Sequence, residues 1–119
     1  MPRDPRAFVW DARQAVAHLR SFIDGKTWDD YEAEALLRAG VERQFEIIGG
    51  ALNQLSKVLP DAASKIDDLP RIVAFRNILI HGYAMGDDQV VWQVVTTRLE
   101  ALDQVLAGLA EELGPPEGN

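Results

Sequence analysis

The residues best equipped for chemistry lie in one stretch, Arg71-Ile-Val-Ala-Phe-Arg76-Asn77-Ile-Leu-Ile-His81-Gly82-Tyr83. The chain carries a formal net charge of −7, yet no Asp or Glu occurs from Leu69 to Gly86. Arg71, Arg76 and His81 therefore make this the one region that would welcome an anion. Leu69, Ile72, Arg76, Leu79 and Tyr83 step by three and four, which sets Arg76 and Tyr83 on the apolar seam of a helix. A cation on a seam is costly unless it meets a partner or borders a cleft. His81 follows Arg76 by five residues, about 140° around a helix, so those two side chains do not share a face. Asn77 does share one with His81, and a hydrogen bond from it would orient the imidazole. Gly82 would let the helix open so that Arg76 and His81 border one cleft, completed by the same helix of a second protomer.

The elements that must position this stretch are all helical. Asp4-Pro5 reads as an N-cap and first helical position, and Phe8, Ala12, Ala15, Leu19 and Phe22 draw one stripe that ends near Asp24-Gly25. A second, longer helix starts between Trp28 and Glu34 and carries Val41, Phe45, Ile48, Leu52, Leu55 and Leu59 to the stop at Pro60. Gly49-Gly50 inside it costs about 1 kcal/mol per glycine relative to alanine, so it marks a bend or a place where another backbone comes close. Residues 61–68 read as a loop with a helical turn. Leu69-Pro70 opens the third helix, which runs to about His81 or Tyr83. Asp87-Asp88 caps a fourth, whose stripe Val91, Val95, Leu99, Leu102, Leu106, Leu109 and Leu113 reaches Gly114 before Pro115-Pro116. The expectation is an all-α, four- to five-helix antiparallel bundle, one domain over residues 1–113 with a loose tail at 114–119, and a homodimer.

Composition narrows the function. At 119 residues, with 47% hydrophobic and 26% charged, the chain is an ordinary globular domain. The absence of cysteine excludes a disulfide framework, a thiolate zinc site and a cysteine nucleophile. No run of about 18 apolar residues and no leader-like N-terminus occur, which points to the cytoplasm and away from a membrane. The acidic balance argues against a sequence-independent nucleic-acid coat, so any RNA contact must be local. Asp29-Asp30, Glu32 and Glu34 read as solvated charge near a helix start. No phosphate-cradling glycine loop, nucleophile elbow or zinc spacing is present. Trp10, Trp28 and Trp92 are spaced like core or interface residues, and His18 has no assigned role.

Arg76, Asn77, His81 and Tyr83, read as R-N-x-x-x-H-x-Y, resemble the R-x-x-x-x-H motif of HEPN ribonucleases, in the R-x-x-x-x-H-x-Y form of HepT-like toxins. Val41-Glu-Arg-Gln-Phe-Glu-Ile-Ile-Gly49 is similar to that family's second helix and Val91-Trp92 to the start of its fourth, so the resemblance spans roughly Trp28 to Leu113. Where the family commonly carries a glutamate after I-G, this chain has Gly50.

The resemblance implies a metal-independent endoribonuclease in which the ribose 2′-OH attacks the adjacent phosphorus. His81, with an unperturbed pKa of about 6.5, would exchange a proton with the 2′-OH or the leaving 5′-oxygen. Arg76 would grip the phosphate in a planar fork, and Asn77 would support either. It further implies a toxin–antitoxin pair: a cognate minimal nucleotidyltransferase transfers AMP to Tyr83, placing phosphate on the acid-free surface. ATP and Mg²⁺ then belong to that partner, and this chain needs no cofactor or metal. The alternatives are a non-catalytic HEPN module that binds a nucleotide or a protein through the same cleft, and a plain helical dimerisation module. Each of the four residues has an ordinary structural use when taken singly; their order and spacing together favour the functional reading.

Overall fold

The computed structural model describes residues 3–81 and 88–116, without the side chains of residues 78–81. Among the described residues the chain forms an all-α bundle of seven helices: α1 Arg6–Ile23, α2 Trp28–Ala33, α3 Ala35–Val58, α4 Pro60–Ala63, α5 Leu69–His81, α6 Asp88–Thr97 and α7 Leu99–Leu113. The count exceeds the four or five expected because two long helices are each broken once and one loop contains a full turn.

The core forms where three apolar stripes meet. Val9, Ala12, Val16 and Leu19 of α1 face Val41, Phe45, Ile48, Leu52 and Leu55 of α3, with Leu106 and Leu109 of α7 closing the third side. Full burial of one such aliphatic side chain contributes about 1.5–3 kcal/mol. Every fully buried residue among those described is apolar or the tyrosine Tyr31. Helix α3 is the central element, packing on α1 along one side and carrying α5 on another. No helix among the described residues is long and apolar enough to cross a membrane.

The start of the first helix differs slightly from the sequence reading. Pro5 occupies the N-cap, and the Asp4 carboxylate accepts the Arg6 backbone N–H at 3.0 Å. Gly25, at φ +71°, turns the chain after Ile23 in a conformation that a side chain would strain.

The first break falls at Glu34, whose extended backbone (φ −101°, ψ 97°) separates α2 from α3. Helix α2 has its own start signal, a capping box in which Thr27 and Asp30 exchange side-chain-to-backbone hydrogen bonds at 3.2 and 2.9 Å. The backbone N–H of Thr27 holds the Asp30 carboxyl below its usual range. The open carbonyls of Tyr31 and Glu32 at its far end accept from the Arg38 guanidinium, which staples the break. Tyr31 is fully buried, its ring tilted against Trp28 and Trp92 at 6.2 and 5.2 Å. Two of the three tryptophans thus frame the core; Trp10 is half exposed.

The second break falls at Arg98 and needs neither glycine nor proline. Thr96 and Thr97 hydroxyls donate back to the carbonyls of Trp92 and Gln93, at 2.8 and 2.6 Å for the shorter bonds, and such back-bonding bends helices. The apolar stripe survives the bend: Val91, Val95, Leu99, Leu106 and Leu109 are all buried.

Candidate active site

Helix α5 owes its position to two consecutive turns of α3. On one turn, the Phe45 ring meets Phe75 edge-on, with centroids 5.4 Å apart and planes at 89°, a favoured aromatic geometry. One turn later α3 presents Gly49, and there Arg76 crosses it. A Cβ built on Gly49 would lie 2.4 Å from the Cβ of Arg76 and 2.6 Å from its Cγ. The aliphatic stem of Arg76 therefore lies directly on bare backbone, in a space that only glycine leaves. Helix α3 is continuous through the glycine pair, and what comes close, at Gly49 alone, is the stem of a side chain rather than another backbone.

This seat explains a cation on an apolar seam. Arg76 is half-buried, its stem covered by α3 while its head reaches the edge of the helix pair. Its Nη1 donates to the Asn77 side-chain oxygen at 3.1 Å. Its Nε is buried and has no hydrogen-bond partner among the described residues. A Cβ on Gly50 would lie 4.0 Å from Nη2, so a longer acidic side chain at that position would reach the guanidinium. With Gly50 there, no carboxylate among the described residues pairs with Arg76. A charge-assisted donor that is partly desolvated and unpaired binds an incoming anion strongly.

The described bond of Asn77 runs to Arg76, and the anticipated bond to the His81 imidazole lies outside the described residues, as do the His81 side chain and Tyr83. The backbone of α5 is α-helical through His81. That places His81 about 7.5 Å beyond Arg76 along the axis, roughly 140° around it. His18, left without a role, is exposed, with its Nδ1 3.4 Å from Gln44 Oε1 and its ring stacked near Phe22. Sequence reasoning did not single out Arg98, which the bend between α6 and α7 brings beside Asp68 at 3.6 Å. No local signal marks it, because the approach is made by tertiary packing. Among the described residues, no three His, Asp or Glu side chains gather in a way that could hold a metal ion.

Comparison with known proteins supplies the family. Residues 12–109 match the family described as Ribonuclease HepT-like. The chain is similar to two proteins of Methanocaldococcus jannaschii, one 30% identical over 78% of this chain and 84% of the relative, the other 26% identical over 83% and 82%. It is also similar to a protein of Caldanaerobacter subterraneus subsp. tengcongensis, 24% identical over 86% of this chain and 90% of the relative. All three bear the name "putative RNase". No solved structure matches the chain. The match runs from within α1 through most of α7 and includes the helix that seats Arg76, and the chain belongs to the HepT-like ribonuclease family.

Proposed function

We propose that this protein is a metal-independent endoribonuclease, the toxin of a toxin–antitoxin pair, acting as a homodimer in the cytoplasm. The observation that carries the reading is half-buried Arg76, its stem seated on Gly49 and its guanidinium without a carboxylate partner among the described residues, on an acid-free helix of an otherwise acidic chain. Family membership and the names of the relatives support RNA as the source of the anion. Arg76 binds the scissile phosphate and stabilises the charge that builds on its oxygens. The ribose 2′-oxygen forms its bond to phosphorus as the bond to the 5′-oxygen breaks. His81 takes the 2′-OH proton or returns one to the 5′-oxygen, leaving a cyclic phosphate and a free 5′-OH. Asn77 fixes the guanidinium.

Control falls to Tyr83. A cognate nucleotidyltransferase, using its own ATP and Mg²⁺, transfers AMP to the tyrosine hydroxyl, and the added phosphate competes for the Arg76 surface. The test is induced expression in bacteria with and without that nucleotidyltransferase, following growth and the mass of the protein. The wild type arrests growth, and co-expression relieves the arrest as AMP appears on the protein. Tyr83→Phe stays toxic and unmodified. Relief of Tyr83→Phe to the same extent as the wild type would remove the tyrosine from the scheme.

A further inference from the structure

We infer that a cavity one helical turn from the Arg76 seat takes the nucleobase adjoining the scissile phosphate, a reading that rests on the ribonuclease function proposed above. The cavity, about 190 Å³, lies between the start of α5, Phe45 of α3 and the bend between α6 and α7. Its apolar wall is formed by Phe45, Ile72, Phe75, Val94 and Leu102. Arg71 and Arg98 also line it, and both are exposed.

Size, position and charge select the occupant. An enclosed apolar space of about 150 Å³ holds a benzene ring, whereas drug-sized ligands occupy roughly 300–1,000 Å³. The cavity therefore suits one flat ring system. Phe45 and Gly49 stand four residues apart on α3, and Phe75 and Arg76 are consecutive on α5. The Phe45 wall of the cavity and the Gly49 seat of the Arg76 stem thus lie about 6 Å apart along α3, a separation comparable to that between the base and the phosphate of one nucleotide. Its lining carries two arginines against one aspartate, and Asp68 is already paired with Arg98. Arg71 has no ion-pair partner among the described residues, which leaves a cation at the rim for a neighbouring phosphate. Splayed bases of single-stranded RNA stack on aromatic and arginine side chains in this way.

The test uses single-stranded RNA oligomers spanning a mapped cleavage site, either intact or with one abasic ribose on either side of the cleaved bond. For the wild type, loss of the base at one of the two positions lowers kcat/KM by about tenfold or more, the scale of one stacked base. Val94→Phe and Leu102→Phe, each filling the cavity and checked for folding by circular dichroism, cleave intact and abasic oligomers with the same kcat/KM. Equal cleavage of intact and abasic oligomers by the wild type overturns the inference while leaving the ribonuclease function standing. Undiminished discrimination by both filled variants overturns it in the same way. A wild type without any abasic penalty whose filled variants shift in sedimentation also overturns it, since the cavity is then covered by a second copy of the chain. If the wild type cleaves no RNA at all, the ribonuclease reading fails and the base site falls with it.

Discussion

Arg76 is held by an absence, the missing side chain of Gly49, and two adjacent glycines should consequently respond in opposite ways to the same substitution. Gly49→Ala drives a Cβ to 2.4 Å from the Cβ of Arg76, which sits close to the α5 backbone and cannot swing aside. The overpacking costs about 1–3 kcal/mol, which outweighs the gain in helix propensity. Gly50→Ala meets only the Nη2 of Arg76, at 4.0 Å, and keeps up to about 1 kcal/mol of that gain. Urea denaturation should show Gly49→Ala less stable than the wild type and Gly50→Ala more stable; equal shifts would mean that the stem is not seated there. The motif residues Arg76 and Asn77 were legible in the sequence, and so was the oddity of an arginine on a seam. The partner of that arginine was not, because the meeting of Gly49 with Arg76 joins positions 27 residues apart that no local pattern connects.

The elements themselves were legible as stripes, and their interruptions were not. Apolar periodicity found α1, α3 and α5 and followed one stripe through α6 and α7, since burial depends on phase and the phase survives a bend. The break at Glu34 lies among good helix formers, Ala33 and Ala35, and is imposed by a separate cap at Thr27 and by the reach of Arg38. The break at Arg98 rests on two threonine hydroxyls whose bonding direction the sequence does not specify. Where α3 and α6 approach, Glu42 is half-buried, and burial, followed by the charges of Asp88 and Glu46, raises its pKa. Its folded value therefore exceeds its unfolded one, and the folded state holds the proton more tightly. Ionised Glu42 costs stability at neutral pH, and the cost fades as pH falls through the folded value toward the unfolded one, about 4.3. Glu42→Gln should raise the urea midpoint at pH 7 and lose that advantage below about pH 4. An advantage constant across pH would mean that packing, not ionisation, is responsible.

For the whole molecule, the question is how a chain of net charge −7 handles a polyanion. That charge argues against uniform attraction, so on the proposed function the affinity would come from the acid-free helix, with the acids elsewhere limiting how RNA could lie on the surface. Fold class was legible because 119 residues with four amphipathic stripes and no strand-like alternation have few ways to build a core. Family was legible because motif, spacing and flanking helices agree, and the match over residues 12–109 spans the same elements. The most direct test is cleavage of RNA by the purified protein in the presence of EDTA, with Arg76→Ala and His81→Ala as companions of checked fold. Cleavage by the wild type to cyclic-phosphate ends, with a loss of at least about a hundredfold in each variant, is the expected result. RNA left intact by the wild type, or cut equally well by all three proteins, would contradict the account.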